Sequence, residues 1–317
     1  MKKLVRLILP SAVTKYVDFY ISGTWPIFRA EKKLVNGNRE LPPITISEKI
    51  RYKMAFDRRS TLSLFADKVL VRDFVLSRVG KDYLTEAYSI LDPNEVDSFS
   101  PLMLPQNYVV KVNHGSGGVI VVAEVANKID RLPADLKSIN WGRYLIHPNN
   151  LDWILCKQIL TRWLVSNYYY QPGSFPEWAY RNIRPKVLIE EFLQHNGGIP
   201  DDYKFFMVSG KCVLIQVDSS RYSSHKRDLY SPNWVLLDAE FIFPTSGSKV
   251  ERPSNLEEMI EIAEKLSAGM DFVRVDLYCT DNGIKFGELT NYPDAGKGDI
   301  FPRDLSIALA RNWIQDY

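Results

Sequence analysis

Several features are scarce in this chain of 317 residues. Its three cysteines, Cys156, Cys212 and Cys279, are odd in number, scattered and set within apolar helix or strand patterns, with no Cys-x-x-Cys pair. That excludes a disulfide framework and a thiolate metal site, leaving reduced core residues of a protein expected in the cytoplasm. The four histidines stand apart in sequence, and no Cys-His nucleophilic pair is suggested. The formal charge is only +2, without a long basic tract interleaved with aromatics, so no nucleic-acid partner is expected. No run approaches the ~20 continuous apolar residues that span a bilayer. Neither a P-loop ending in GKS/T nor a GxGxxG fingerprint is present, and there is no internal repeat or low-complexity segment.

The N-terminal run MKKLVRLILP starts basic, is interrupted by Arg6 and ends at Pro10, which argues against a cleaved signal peptide. Lys2, Lys3, Arg6 and Lys15 among Leu4, Leu7, Ile8 and Leu9 leave two readings. The segment is either an amphipathic helix docked on its own domain or one that lies peripherally on the inner membrane face.

A hydrophobic content of 45% is ample for a packed core, and this length suggests about two domains. Leu62 to Val79 reads as a helix capped by Ser60 and stopped by Gly80. Asp92 to Gln106, with three prolines, reads as a linker. Leu151 to Leu164 has helical spacing, with Asn149 or Asn150 as cap, and Leu256 to Met270 forms another helix, acidic at its start. Strands and helices alternate irregularly, which implies an α+β fold rather than a doubly wound sheet.

The most informative stretch is FVRVDLYCTDNGIKFGELTN, from Phe272 to Asn291. Alternating Val273, Val275 and Leu277, then Asp281-Asn282-Gly283, then Ile284, Phe286 and Leu289 describe a hairpin with Gly283 supplying a positive φ. With a three-residue loop, Thr280 pairs with Ile284 and Asp276 falls opposite Glu288, their Cβ atoms roughly 5 Å apart. Period 2 then adds Thr290 to that face and turns Asn291 away. Facing carboxylates call for a positive charge between them, and Mg²⁺ held with substrate phosphates is the usual one. Two alternatives remain open. Arg274 and Lys285 could neutralise the pair on an ordinary surface hairpin, and a two-residue turn would shift the register and put Asp276 and Glu288 on opposite faces.

VVKVNHGSGGVIVV, residues 109 to 122, places Lys111 before a loop containing Gly115, Ser116, Gly117 and Gly118. Glycines allow backbone N–H groups to approach an anion, and a neighbouring lysine adds charge. The same residues also describe a plain glycine-rich hairpin, and His114 within the loop has either a structural hydrogen bond or a catalytic role. RPKVLIEEFLQ carries an apolar strand, Val187 to Ile189, ending in Glu190-Glu191-Phe192-Leu193. Such an edge offers backbone and a carboxylate to an adenine, or is a strand end with solvated glutamates.

The order of lysine, glycine loop, Glu-Glu-Phe-Leu edge and late Asp and Glu resembles the ATP-grasp superfamily. SLFADKVLVRDFV, NHGSGG, the run Tyr168-Tyr169-Tyr170 with Trp178, Tyr180 and Arg181, DYKFFMVSGKCVLIQVDSSR, FVRVDLY and FGELT resemble its teichuronopeptide-biosynthesis (TupA-like) branch, from about Thr45 almost to the C-terminus. The resemblance implies two α+β subdomains gripping ATP behind a small N-terminal domain. The expected boundaries are 1–98 for that domain and 99–317 for the ATP-grasp domain, divided into a lid (99–190) and a metal-binding part (191–317).

Carried over by position, the resemblance assigns Lys111 to the α/β-phosphates and Gly115, Ser116, Gly117 and Gly118 to the phosphate cover. Glu190, Glu191, Phe192 and Leu193 take the adenine edge. Asp67-Lys68 and Arg72 match a DKxxxK/R element whose last cation, here Arg72, touches phosphate. Asp202 is implied as a ribose or substrate partner and Lys204 as a cation at the transferred phosphate. Arg221 is implied to stabilise the moving phosphoryl group. His225, Lys226 and Arg227 are expected on a loop, with Arg227 placed among the catalytic residues. Asp276, Glu288 and Thr290 form the implied Mg²⁺ set. Thr290 departs from the Glu-x-Asn seen in many relatives, and its hydroxyl is a poorer ligand, which puts a second metal in doubt.

The implied activity is ATP-dependent carboxylate–amine ligation through an acyl phosphate. The implied substrates are an amino acid and a sugar acid such as a hexuronate, free or carrier-linked, in cell-surface polysaccharide biosynthesis. The patch from Tyr168 to Tyr180 either stacks on a sugar or packs beneath the lid. The alternatives are a sugar kinase or glycosyl-transfer enzyme of the same pathway, and a non-catalytic ATP-binding module.

Overall fold

The computed structural model describes residues 43–170, 176–219 and 224–317. The basic N-terminal run and Arg221 lie outside them. Two five-stranded sheets face each other across a cleft, and each buries its other face under a helix.

The chain enters through α1 (Ile46–Phe56), whose N-terminus is closed by a capping box of Thr45 and Glu48. The single helix expected over residues 62–79 is instead two, α2 (Thr61–Ala66) and α3 (Val71–Val79). The break falls at Asp67, whose carboxylate accepts from the backbone N–H groups of Val69 and Leu70 and so competes with helix continuation. Ser60 makes no side-chain cap bond, while Gly80 ends α3 at φ +98° as expected.

The first sheet has the order β1-β5-β2-β3-β4, formed by β1 (Ala87–Leu91), β5 (Val187–Glu191), β2 (Tyr108–Val112), β3 (Val119–Val122) and β4 (Arg143–Ile146). Only β3 and β4 run parallel. β1 precedes the linker yet pairs with β5. Alternation along these strands sends Val110, Val112, Ile120, Val187 and Ile189 against Cys156, Ile159, Leu160 and Trp163 of α4 (Trp153–Leu164). The cap of α4 is Asp152, which accepts from the N–H groups of Ile154 and Leu155, rather than either asparagine before it.

The second sheet is antiparallel, ordered β10-β9-β6-β7-β8 from β6 (Asp202–Val208), β7 (Lys211–Ser219), β8 (Lys226–Tyr230), β9 (Phe272–Thr280) and β10 (Gly283–Thr290). Lys226 and Arg227 therefore lie on a strand and not on the expected loop. One face, with Tyr203, Phe205, Met207, Ile215, Val273, Val275 and Leu277, packs on Met259, Ile262, Ala263 and Leu266 of α5 (Leu256–Ser267). α5 stops three residues before the expected Met270, ahead of Gly269 at φ +83°. On the opposite face Asp202, Lys204, Asp218, Arg274, Asp276 and Tyr278 floor the cleft, while Phe206, Leu214 and Phe272 further along the same strands enter the third core.

A third core unites α1 with α6 (Arg303–Ala310) and Trp313, which stacks on Phe272 at 4.2 Å. Beneath it Lys53 joins Asp57 (2.7 Å) and Asp271 (3.0 Å), and Asp271 also accepts from Trp313 Nε1. Burial pushes both carboxyls up, but hydrogen bonds from Arg59 and Lys53 and the lysine charge outweigh it and hold both below the usual range. Among the described residues no helix is long and apolar enough to cross a membrane.

Candidate active site

The cleft encloses about 510 Å³. Its floor is a polar checkerboard dictated by strand register. In β6, β7 and β9, Asp202 lies opposite Asp218 and Tyr278, and Lys204 lies opposite Gln216 and Asp276. On β10, Glu288 lies opposite Asp276, and Thr290 opposite Arg274.

Asp276 and Glu288 are thus partners as expected, by a different route. The β9–β10 turn has two loop residues, with Thr280 opposite Gly283 and Ile284 opposite Cys279, instead of the expected Thr280–Ile284 pair. That register alone would separate the two carboxylates, but it shifts between Phe286 and Glu288, where Gly287 has no partner. A β-bulge at Gly287 returns Glu288 to the face of Asp276. Glycine is required there, since a Cβ would lie 2.8 Å from the Tyr278 ring and 3.1 Å from the Asp276 carbonyl oxygen. Asn291 points away and donates to the Leu62 carbonyl.

Lys204, 2% exposed, is the central cation of the floor. Its Nζ lies 3.1 Å from Asp202, 3.2 Å from Asp276 and 3.9 Å from Asp218. Arg274, two residues before Asp276 and on its face, grips that carboxylate with Nε and Nη2, both at 2.7 Å, and donates to Thr290 Oγ1 at 3.1 Å. It is buried and so does not belong to a solvent-facing hairpin. Glu288 is pushed up by burial, but Lys68, Arg274, Arg143 and Lys204 outweigh this and hold its carboxyl below the ordinary value. Arg227 forks onto Asp218, with Nε to Oδ1 at 2.7 Å and Nη2 to Oδ2 at 3.1 Å, and reaches Asp294 at 3.3 Å. His225 stacks on Phe243 with ring centroids 3.9 Å apart.

The opposing wall carries the glycine loop. Asn113 and His114 are buried beneath it. Asn113 Nδ2 donates to Asp67 and to the Arg184 carbonyl, while the His114 ring meets the backbone oxygens of Trp163 and Ser166. His114 is therefore an anchor of the loop, with its pKa lowered by burial. The loop itself lies on Trp141. A Cβ at Gly115 would meet that ring at 2.5 Å, and one at Gly117, where φ is +88°, would fall 2.9 Å from the Trp141 carbonyl oxygen. Two of its glycines thus serve close packing as well as any approach to an anion.

Lys111, Ser116 and Gly117 line the cleft, as do Glu190, Glu191, Phe192 and Leu193 along the edge that leaves β5. Lys111 forms an ion pair with Glu190, whose carboxylate also accepts from Thr85 Oγ1 at 2.7 Å. Arg72 sits behind this pair, bonded to Thr85 and 3.4 Å from Glu190. The cation of its element that reaches the main cleft is Lys68, which donates to the Gly115 carbonyl and lies 3.8 Å from Glu288.

The sequence reading missed several lining residues: Lys68, Arg143, Glu177, Asp218, Arg274, Asp294 and Lys297. Period 2 already put Arg274 on the face of Asp276. Arg143, Glu177 and Lys297 reach the cleft through tertiary contacts that no local pattern records.

The donor set can be tested against a divalent cation. Mg²⁺ is commonly held by one or two carboxylates, with phosphate and water oxygens completing six. Asp276 and Glu288 fit that requirement for one ion. Thr290 is engaged by Arg274, and among the described residues no three His, Cys, Asp or Glu side chains converge as a metal cage.

Two sheets gripping a cleft, with a glycine loop and lysine on one and paired late-strand carboxylates on the other, define an ATP-grasp fold. The family model described as TupA-like ATPgrasp matches residues 48–312, and the chain belongs to that family. A search of curated proteins finds no match. Similar solved structures include D-alanine–D-alanine ligase from Helicobacter pylori (14% identity, TM-score 0.41, 80% of this chain and 62% of that one). N5-carboxyaminoimidazole synthetase from Staphylococcus aureus, complexed with ADP, is another (12%, 0.37, 73% and 44%). A third is the ATP-grasp ligase PsnB with precursor peptide PsnA2 and AMPPNP (12%, 0.38, 92% and 70%). The aligned region spans about half the length of several such proteins, 44% to 55%.

Proposed function

We propose that this protein is an ATP-dependent carboxylate–amine ligase that joins an amino acid to a sugar acid in cell-surface polysaccharide biosynthesis. The observation that carries the reading is the cross-strand pair Asp276–Glu288, with Lys204 and Arg274 beside it, facing a cleft whose other wall holds Lys111 and the glycine loop.

In this reading ATP lies along the first sheet, its adenine against residues 190–193 and its phosphates under residues 115–118 and beside Lys111. Asp276 and Glu288 hold one Mg²⁺, which when bound neutralises phosphate charge. Lys68, Lys204 and Arg274 face the γ-phosphoryl group as it moves to the substrate carboxylate, a step that needs positioning and charge neutralisation more than a nucleophilic side chain. Arg227, held by Asp218 and Asp294, orients that carboxylate, and Arg221 is assigned to the same transfer. The amine then attacks the acyl phosphate, its nitrogen bonding to the carbonyl carbon as inorganic phosphate leaves. The 1–98 and 99–317 division and a cytoplasmic setting belong to this proposal.

The test is ADP release from Mg²⁺-ATP with panels of hexuronates and amino acids, with hydroxylamine as the acyl-phosphate trap. Hydroxamate with one carboxylate supports the ligase. ADP release that follows a neutral sugar without hydroxamate overturns it in favour of a kinase.

A further inference from the structure

Among the described residues, two carboxylates that line the cleft have no cation at ion-pair distance: the half-buried Glu191, which accepts from the Glu86 N–H at 3.1 Å, and the buried Glu177. Lys111 holds Glu190, Lys204 holds Asp202 and Asp276, Arg227 holds Asp218 and Asp294, and Lys68 lies beside Glu288. Glu177 has no such ion pair, although it is only 8% exposed and lines the cleft.

Its position is not explained by local structure. Glu177 precedes a short 3₁₀ turn, Trp178–Tyr180, but its carboxylate makes no cap bond to that turn. The side chain stands among Tyr168, Tyr180 and Tyr292, three rings that also line the cleft. Tyr168 packs edge-on against Trp141, ring centroids 5.4 Å apart, and the glycine loop lies on that same indole, which places the tyrosines beside Glu177 at the phosphate end rather than the adenine end. Burial, followed by the charge of Glu288, pushes the Glu177 carboxyl up to about 8, against the opposing pull of Lys297, the Tyr168 hydroxyl and Lys68. Ionising this carboxyl without a cation is costly, so in the free protein it stays largely protonated near neutral pH, and a cationic ligand offsets the cost of the charged form.

We infer that Glu177 is the docking point for the incoming amine, which enters as an ammonium between the carboxylate and the surrounding tyrosine rings. This rests on the ligase reading and adds the chemistry of its second substrate: a primary amine recognised by positive charge. The carboxylate supplies a charge-assisted hydrogen bond and the ring faces a cation–π contact. Bound there, the nitrogen sits near the phosphate end of the cleft, where the acyl phosphate forms, and it attacks as the free amine once the ammonium has passed one proton to the Glu177 carboxylate; a second proton leaves the nitrogen with inorganic phosphate as the amide forms. A neutral nucleophile such as hydroxylamine does not need this anchor.

The experiment compares Glu177→Gln and Glu177→Asp with the wild type, using the twenty free amino acids and hydroxylamine as nucleophiles toward the carboxylate that gives hydroxamate. In Glu177→Gln the KM for the productive amino acid rises at least about tenfold, the scale of a lost charged hydrogen bond. The KM for ATP and the hydroxylamine rate change by less than about threefold, a split that a general loss of transition-state stabilisation would not give. Glu177→Asp recovers part of the amine affinity. Because the free protein holds this carboxyl largely in its protonated form near neutral pH, Glu177→Gln keeps a neutral side chain of the same shape and melts no lower than the wild type, whereas loss of a carboxylate carrying a structural ion pair would lower the melting temperature. Equal loss with both nucleophiles, or no change with either, overturns the amine site and leaves the ligase intact. Absence of both hydroxamate and ADP in the wild type overturns both.

Discussion

Gly287 stands against Tyr278, so close that a methyl group at position 287 would fall 2.8 Å from the tyrosine ring. The contact marks the bulge that brings Glu288 back beside Asp276. Gly287→Ala must push the Tyr278 ring or the Asp276 backbone aside, at a cost of about 1–3 kcal/mol. Thermal unfolding should show that loss, and ADP release should fall more than stability does, because the paired carboxylates separate. A variant with wild-type melting and turnover would show that the bulge is not required.

Lys204 is the shared cation of two close carboxylates and a third at 3.9 Å. Lys204→Met is expected to lower stability in urea by about 3–5 kcal/mol, the range for breaking a buried ion pair from one side. Adding Asp202→Asn to Lys204→Met should return part of the loss, since one carboxylate that the lysine neutralised is then gone, whereas Asp276 keeps its fork from Arg274. A double variant less stable than the additive sum would contradict this account.

Asp276→Asn and Glu288→Gln are expected to abolish turnover without changing circular dichroism, and Lys111→Ala to weaken binding of an ATP analogue by about tenfold or more. Full activity in Glu288→Gln would remove the metal assignment.

Part of the acid sensitivity should originate far from the cleft. Asp57 and Asp271 titrate below their ordinary value of 3.8. Their contribution to stability is present above the unfolded value and is lost as pH falls through the folded ones. Asp271→Asn should therefore lower stability at neutral pH, with the gap to the wild type closing below about pH 4. A gap independent of pH would mean that packing around Trp313, rather than charge, holds the C-terminal segment.

The sequence by itself determined the alternation of β9 and β10, the glycine loop beside Lys111 and the Glu-Glu-Phe-Leu edge, because each is written in neighbouring residues obeying a period of two or a turn preference. It was also sufficient for the family. The strand pairing that joins Asp276 to Glu288 was reached with the wrong turn, and only the bulge at Gly287, a matter of how β10 lies on β9, makes it hold. Tertiary structure alone decided that Lys68 rather than Arg72 reaches the main cleft, since the helix breaks where Asp67 captures two backbone N–H groups and meets Asn113. It alone brought Glu177 and Lys297 beside residues more than a hundred positions away in the chain or on the opposite wall. Packing of two sheets face to face sets those distances, and no local spacing encodes them.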